Sequence, residues 1–416
     1  AGIVAIGAAM GLSVVAGSIF TIPDEMIRVA RIVLLLGGVN IAIALVTGVF
    51  GGVMTAMQRF DLTNAVEVVI EVFRALSVFL ALYFGLGLVA LAVIQLAASG
   101  SRGLASFALS RRLYPELKIG RSGWSWDYLR PLLGFSVYST LLNVSSMIIL
   151  QLDIVVIGSF LPVAMIAYFG IAANLTNYAR SLVSGISQTI TPQVSAMDGS
   201  GSASDVRYLP VIGGRLATLV LLPIVITFMS RGSSFIGLWM GEAYADLSGR
   251  VLTILSLTLV VASGRQVISA TVMGLNQHKM LVPAYLAEAG VNLLLSILLV
   301  RQFGIVGVAW GTTIPALIAS TVVIPLIYCR AQGLRYAVVL WEIWLRPFAA
   351  LIPFALGTYA IEQLWTPPNL VVFFAEVALV LPLAFLGIWV VGLNPGERES
   401  IVQRVSHRVR LAVDTQ

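Results

Sequence analysis

Long apolar runs, separated by short polar connections, occupy almost the whole chain. Most of them exceed about 18 residues, the length that a helix needs to cross a hydrocarbon core of about 30 Å. The runs predict twelve membrane-spanning helices, at residues 1–20, 29–57, 64–83, 87–111, 129–160, 163–193, 209–232, 247–274, 281–302, 305–330, 345–364 and 370–393. Barrel strands would be shorter and would alternate in polarity. The pattern therefore predicts an all-α polytopic membrane protein.

The side-chain composition excludes a water-soluble domain. Hydrophobic residues make up 59% of the chain and charged residues 11%, whereas soluble domains carry about 25% charged residues. Cys329 is the only cysteine, so an internal disulfide framework is excluded. With two histidines, the chain offers no histidine-rich metal site. We therefore expect no cofactor.

Basic residues lie in alternate connections between the predicted helices. The segment 112–128 and its flanks carry Arg111, Arg112, Lys118, Arg121 and Arg130 against Glu116 and Asp127. Cytoplasmic loops of membrane proteins are enriched in Lys and Arg, so this linker is predicted to be cytoplasmic. The tail at 394–416 is also basic, and the same rule places the C-terminus in the cytoplasm.

The chain contains an internal repeat with a spacing of 219 residues. Among the recurring positions, Val53-Met54, Gln58, Phe84-Gly85 and Ala90 return as Val272-Met273, Gln277, Phe303-Gly304 and Ala309. Identical apolar residues are common in membrane helices, but the shared Gln and Phe-Gly at helix junctions favour a true duplication. Parallel repeats of this kind form the two halves of many secondary transporters.

The repeat divides the predicted helices into two pseudo-symmetric six-helix bundles, the first of them truncated, plus two extra C-terminal helices. The same spacing, applied to the start of the second bundle, places about 90 residues and two further helices before Ala1. The predicted regions are the last four spans of an N-terminal bundle at 1–111, a basic cytoplasmic linker at 112–128, a complete six-span bundle at 129–330, two additional spans at 345–393 and a basic cytoplasmic tail at 394–416.

Several segments resemble one transporter family. The stretches LRPLLGFSVYSTLLNVSSMIILQLDIVVIGSFL, AYFGIAANLTNYARSLVSGISQTITPQVS and VNLLLSILLVRQFGIVGVAWGTTI, with MQRFDLTN and GLNQHK, are similar to the polysaccharide-export branch of the multidrug/oligosaccharidyl-lipid/polysaccharide (MOP) superfamily. The resemblance implies a two-bundle transporter of the bacterial inner membrane that flips undecaprenyl-pyrophosphate-linked oligosaccharides by alternating access. It also implies membrane lipids as partners, and a polysaccharide polymerase and glycosyltransferases as neighbours.

Two other functions compete with this interpretation. A cation-coupled multidrug exporter of the same superfamily would favour an acidic and aromatic cavity, and four arginines inside the spans argue against it. A membrane polysaccharide polymerase or ligase would show a large charged outer loop, whereas the predicted outer connections are short. The chain also lacks the GxxxxGK[ST] loop of nucleotide hydrolases and any recognisable catalytic set, so we predict neither enzymatic activity nor nucleic-acid binding.

Four arginines lie within the predicted spans, at Arg74, Arg180, Arg215 and Arg265. With the predicted orientation, all four lie roughly 9 to 20 Å into the membrane from the cytoplasmic side, at 1.5 Å per residue. A guanidinium group stays charged and binds phosphate through two parallel hydrogen bonds. We therefore predict a cationic patch that binds the substrate pyrophosphate. The alternative for Arg215 is that its side chain extends to the lipid headgroups.

Acidic and amide side chains follow helical spacing in two predicted spans. Glu67, Glu71 and Arg74 share one helix face. Glu288 and Asn292 share a face of the corresponding helix in the repeat. A charge that faces lipid is costly, so both faces should line the cavity. Glu67, Glu71 or Glu288 is a candidate for coupling transport to H⁺ or Na⁺, unless Glu71 merely neutralises Arg74.

Asp153 lies within the fifth predicted span, at a different depth from Arg180. It is 7 residues from the outer end of its helix, whereas Arg180 is 17 residues from the outer end of the next. In antiparallel neighbours this is a difference of about 15 Å, too far for a salt bridge. We expect Asp153 to be hydrogen-bonded near the outer mouth, at about the level of Asn174, as a structural or gating group.

Overall fold

The computed structural model describes residues 2–19, 24–57, 59–116, 126–199, 206–399 and 403. Within these residues the chain is helical and contains no strand. The chain divides into two units, Ala1–Trp124 and Ser125–Gln416. Most of the predicted basic linker at 112–128 and of the predicted basic tail at 394–416 lies outside the described residues.

The helices of the first unit approach one another closely where small residues meet. These helices are α1 (Gly2–Ile19), α2 (Asp24–Ala56), α3 (Phe60–Tyr83) and α4 (Leu88–Leu113). A Cβ added to Gly103 of α4 would lie 2.5 Å from Thr47 Cγ2 of α2, and one added to Gly38 would lie 2.2 Å from the Cβ of Ala9. Neither contact has room for a larger residue, as is common where membrane helices pack tightly.

The second unit is organised around two helices that run through its centre. Its helices are α5 (Trp126–Phe160), α6 (Ala164–Gly199), α7 (Leu209–Met240), α8 (Glu242–Gly274), α9 (Val282–Ile318), α10 (Ile324–Gln332), α11 (Tyr336–Leu340), α12 (Arg346–Leu364) and α13 (Leu370–Gly387). Both α7 and α8 are largely buried. They pack closely, since a Cβ added to Gly249 would lie 2.9 Å from Ser233 Cα, and one added to Gly232 would lie 2.9 Å from Leu252.

The described helices have the dimensions of a membrane protein. Eight helical segments within the described residues are long and apolar enough to cross a membrane. The helices over the predicted spans 64–83 and 163–193 are also long, but they contain more charged or polar residues and fall outside this set. The all-α polytopic membrane fold predicted from the sequence is therefore confirmed, whereas the pseudo-symmetry of the two bundles stays a prediction.

The glycines of the two repeated Phe-Gly pairs both have a positive φ. Gly85, in the turn between α3 and α4, has a φ of 68°, and Gly304, at a kink inside α9, has a φ of 58°. Glycine adopts this left-handed region without steric cost. The kink divides one helical segment, residues 278–332, into the two predicted spans 281–302 and 305–330.

Arg215 connects α7 to the C-terminal part of the chain. Its side chain is 2% exposed and donates hydrogen bonds to the carboxylates of Glu342 and Glu397. Arg346 pairs with the same Glu342 at 3.0 Å and donates to the Asn394 side chain at 2.6 Å. The sequence suggested either a place in the cationic patch or an extended side chain at the headgroups for Arg215. The structure instead places it in a buried ion cluster with residues far along the chain.

A second buried cluster lies 16 residues further along α7, which corresponds to about 24 Å of helix. Arg231 is 1% exposed and pairs with Glu362 of α12, at 2.6 Å, and with Glu376 of α13. The ring of Phe373 lies 4.6 Å from the Arg231 guanidinium carbon, and Ser234 donates a hydrogen bond to Glu362. The extra C-terminal helices are therefore held to α7 by one ion cluster near each end of that helix.

The Arg231 cluster generates a stability prediction. Replacing Arg231 with Leu leaves Glu362 and Glu376 buried without a cation, and breaking a buried pair in this way costs about 3–5 kcal/mol. We expect Arg231→Leu to lower the thermal unfolding temperature of the purified protein in detergent. Arg250→Leu is the matched control, because its pair with Asp246 is exposed and such pairs contribute little. Equal unfolding temperatures for the two variants would contradict a structural role for the cluster.

Candidate functional site

The second unit contains a polar cavity of about 180 Å³ between α5, α6, α8 and α9. Two of the four arginines that the sequence singled out, Arg180 of α6 and Arg265 of α8, line it together. The other residues of its wall are Ser146, Ile149, Leu150, Ala262, Gln266, Ser269 and Tyr285. Two guanidinium groups within one small cavity make it a candidate site for an anion.

Three contacts hold the Arg265 side chain in place. Its Nη1 lies 2.6 Å from Glu288 Oε1, and its Nε donates to the Tyr285 hydroxyl at 3.2 Å. The Tyr285 ring also lies under the guanidinium group, with 4.1 Å between the ring centroid and Cζ. Tyr285 is in turn hydrogen-bonded to Ser269 at 3.0 Å. This arrangement fixes the direction of the Arg265 side chain and leaves part of its guanidinium facing the cavity.

Arg180, by contrast, has no acidic partner among the residues that the structure describes. Its Nη2 donates a long hydrogen bond of 3.3 Å to Thr258 Oγ1, and its Nε is buried without a hydrogen-bond partner. Two arginines line the cavity, and the one carboxylate that contacts them among the described residues is Glu288, so one positive charge is left uncompensated. A charge without a partner in such surroundings is costly, and a bound anion would neutralise it.

Hydrogen bonds between α6 and α8 fix the relative position of the two arginines. Gln266 Nε2 donates to Ser184 Oγ at 2.8 Å, next to the cavity. Further along the same helices, Thr191 donates to the Ala270 carbonyl at 3.1 Å. These contacts join the two helices that carry Arg180 and Arg265, so they set the separation of the two arginines in this structure.

Asn292 and Glu288 continue a buried polar face along α9, together with Ser296. All three are at most 4% exposed, and they are four residues apart, so they lie on one face of the helix. Glu288 Oε2, both amide atoms of Asn292 and Ser296 Oγ have no hydrogen-bond partner in the structure. Buried polar atoms without partners are unusual in folded proteins, and water or ions often satisfy such atoms.

Asp153 lies in a separate, apolar environment between α5 and α9. It is 4% exposed, and its two carboxylate oxygens lie 2.9 and 2.8 Å from Thr312 Oγ1. Thr312 also lies 3.3 Å from the Val308 carbonyl, although one hydroxyl has only one hydrogen to donate. Asp153 forms no salt bridge with Arg180 or with any other described cation. Asn174, expected at a similar level, is exposed on α6.

The first unit contains a different kind of charged cluster, formed by Arg74, Glu71, Glu67 and Arg102. Arg74 pairs with Glu71 at 2.6 Å, as the alternative interpretation of their spacing suggested. Arg102 of α4 joins both acids, at 2.7 Å from Glu67 and 3.0 Å from Glu71. Two arginines and two carboxylates balance, so this cluster has no excess charge for an anion to compensate.

Sequence reasoning missed Arg102 as a member of this cluster. It lies inside the predicted span 87–111, and a charged residue within an apolar run is itself a signal for a buried or functional group. Its partners were not predictable, because Glu71 is 31 positions earlier in the chain. The helices α3 and α4 have to pack together before these side chains meet.

Comparison with known protein families and curated sequences gives related results. The family described as "Polysaccharide biosynthesis protein" matches residues 3–249. The chain is 23% identical over 190 residues to the probable low-salt glycan biosynthesis flippase Agl15 of Haloferax volcanii, a match that covers 46% of this chain and 40% of that protein. It is 22% identical over 329 residues to the uncharacterized membrane protein EpsK of Bacillus subtilis, covering 76% of this chain and 63% of EpsK. The chain thus spans less than two thirds of the length of either relative.

Among solved structures, the fold is similar to that of the lipid II flippase MurJ in an inward closed conformation. The two share 14% sequence identity with a TM-score of 0.70, and the match covers 92% of this chain and 80% of MurJ. At this identity the similarity concerns the fold alone. The fold comparison and the eight long apolar helical segments together describe a multi-span membrane protein.

Arg265 has a carboxylate partner and Arg180 has none, so removing the partner of Arg265 and removing Arg180 itself should affect stability differently. Glu288→Gln leaves Arg265 buried without a carboxylate, so we expect it to lower the unfolding temperature. Arg180→Gln removes a cation that has no acidic partner and should leave the unfolding temperature unchanged or raise it. Thermal unfolding of both variants in detergent tests this, and a large loss of stability in Arg180→Gln would show that Arg180 is neutralised within the folded chain.

Proposed function

Because the chain belongs to the polysaccharide biosynthesis protein family, we propose that it flips lipid-linked glycans across the bacterial inner membrane by alternating access. The proposed substrate is an oligosaccharide or polysaccharide repeat unit on undecaprenyl pyrophosphate, and the C-terminus lies in the cytoplasm. The observation that carries this proposal is the excess positive charge of the Arg180–Arg265 cavity. A pyrophosphate diester carries two negative charges and suits such a cavity.

The proposed binding mode uses the two arginines in different ways. Arg180 makes one long hydrogen bond and has no acidic partner among the described residues, so its terminal nitrogens are available to bind a phosphate through two hydrogen bonds. Arg265 is oriented by Tyr285 and Glu288, and the phosphate competes with Glu288 for it. After the substrate is released, Arg265 pairs with Glu288 again. The charge of Arg265 is therefore not left unpaired in the empty carrier.

The same cavity argues against export of cationic drugs. A site for such drugs needs acidic and aromatic side chains, whereas the one carboxylate at this cavity is already paired with Arg265. A second positive charge, on Arg180, repels a cationic ligand further. Polymerisation or ligation of glycans is a less favoured alternative function. As partners of this protein in the membrane, we propose a polysaccharide polymerase and glycosyltransferases.

For coupling to H⁺ or Na⁺, we propose Asp153 as the responsive group. The sequence offered Glu67, Glu71 and Glu288 for this role, but each of them pairs with an arginine. Asp153 is buried against Thr312 and has no described cation beside it. A carboxylate in such surroundings favours a bound proton or metal cation, so binding and release of that cation during the transport cycle supplies the coupling.

The transport proposal predicts a large effect of the two arginines on flipping. In proteoliposomes with fluorescent undecaprenyl-pyrophosphate-linked glycan, Arg180→Gln and Arg265→Gln should each lower the flipping rate about tenfold or more, since hydrogen bonds to charged groups contribute about 1.5–3 kcal/mol. Arg250→Gln, which changes an exposed arginine, should retain the wild-type rate. Wild-type flipping in both cavity variants would refute the proposed site. Drug efflux or glycan lengthening by the same vesicles would instead support one of the alternatives.

The coupling proposal predicts that Asp153→Asn separates transport from the ion gradient. We expect wild-type flipping to accelerate under an imposed H⁺ or Na⁺ gradient, and Asp153→Asn to respond to neither. Asp61→Asn serves as the control, because Asp61 is exposed and pairs with the neighbouring Arg59. Wild-type transport that is insensitive to both gradients would remove the coupling role altogether.

A further inference from the structure

Several polar groups around the Arg180–Arg265 cavity are already engaged with one another. Glu288 accepts a hydrogen bond from Arg265, Tyr285 accepts one from Arg265, and Ser269 is bonded to Tyr285. These contacts hold the Arg265 side chain in position and engage the hydroxyl groups of Tyr285 and Ser269, while Glu288 is not among the residues that line the cavity. A neutral part of a substrate must therefore be recognised by other side chains of the cavity wall.

Gln266 is the one amide side chain in the described wall of this cavity. Its Nε2 donates to Ser184 Oγ at 2.8 Å, and the Ser184 hydroxyl donates its own hydrogen to the Arg180 carbonyl at 3.3 Å. Because the hydroxyl hydrogen is used in this way, Ser184 accepts from Gln266, and the nitrogen of the amide is directed toward α6. Ser184 thereby determines the positions of the nitrogen and the oxygen of the Gln266 amide.

This orientation leaves two hydrogen-bonding positions of Gln266 available. A side-chain amide has two N–H hydrogens and one carbonyl oxygen, and the hydrogen bond to Ser184 uses one hydrogen. The carbonyl oxygen and the second N–H have no partner among the described residues. The oxygen is not fully buried, so it is accessible from the cavity. Gln266 therefore offers one acceptor and one donor, side by side, to the contents of the cavity.

The position of Gln266 relates these groups to a particular part of the proposed substrate. Gln266 follows Arg265 on α8, so the two residues differ by about 1.5 Å along the helix axis. In a glycosyl pyrophosphate, carbon 1 of the first sugar bears the phosphate, and the substituent on carbon 2 is its nearest neighbour on the ring. A pyrophosphate bound by the two arginines therefore places that substituent in the cavity that Gln266 also lines.

Resting on the proposed function, we infer that Gln266 determines specificity for the first sugar by recognising a 2-acetamido group. An acetamido group contains an N–H and a carbonyl oxygen, which match the acceptor and donor of the glutamine amide. A 2-hydroxyl group satisfies the same pair less completely. Sites that are built to hydrogen-bond a substrate group discriminate strongly against analogues without it, because their polar atoms are left unpaired.

The test compares two substrates that differ only at carbon 2. Proteoliposomes are supplied with undecaprenyl-pyrophosphate-linked N-acetylglucosamine or glucose, and the ratio of flipping rates is measured. We expect wild type to prefer the acetamido sugar about tenfold and Gln266→Ala to reduce this ratio to near one. Gln302→Ala is the matched control, because Gln302 is an exposed glutamine on a different helix, α9. This variant should keep the wild-type ratio. An unchanged ratio in Gln266→Ala would overturn the inference.

A second variant and a second probe separate this inference from the proposed function. Ser184→Ala removes the hydrogen bond that orients Gln266, so it should lower the acetamido preference even if Gln266→Ala fails to fold. A wild-type ratio in Ser184→Ala, with Gln266→Ala unfolded, would also overturn the inference. Undecaprenyl pyrophosphate without a sugar should bind wild type and Gln266→Ala equally and bind Arg180→Gln more weakly. If this probe bound none of them, the proposed phosphate site would fail, independently of the result for Gln266.

Discussion

The pairing of buried guanidinium groups with carboxylates is the interaction on which this structure most depends. Within apolar helices a single charge is costly, and a partner with good hydrogen-bond geometry offsets that cost. Arg215 and Arg231 satisfy this requirement by holding carboxylates of the C-terminal segments against α7. Because the two clusters lie near opposite ends of α7, the extra helices are fixed along its length rather than at one point.

Arg180 departs from this pattern, and the departure locates the candidate site. Arg102, Arg215, Arg231 and Arg265 each have a carboxylate partner, whereas Arg180 has a long hydrogen bond to Thr258 and shares its cavity with a second arginine. The cluster around Arg102 is neutral and partly exposed, so it carries no excess charge. The excess at Arg180 is therefore a property of this cavity, and it links the packing of α6 and α8 to the chemistry of an anionic substrate.

The candidate site was predictable only in part. Arg180 and Arg265 stand out in the sequence because charges inside apolar spans are rare, and Glu71 with Arg74 is recognisable from a helical spacing of three residues. The same reasoning grouped Arg215 with them, although its partners Glu342 and Glu397 lie 127 and 182 residues away. Depth along a helix follows from counting residues, but the direction in which a side chain faces depends on which helices pack beside it.

The class of fold and most helix positions could be predicted from the apolar runs alone, because the length of such a run fixes whether a helix can cross a membrane. The repeated Phe-Gly pair also predicted a helix junction at Phe303-Gly304, where the structure has a kink inside α9. Only the folded structure shows which charges are neutralised: Arg231 is buried against Glu362 and Glu376, and Asp153 is buried against Thr312. These contacts join distant parts of the chain, so they depend on helix packing, which the local pattern of one sequence does not specify.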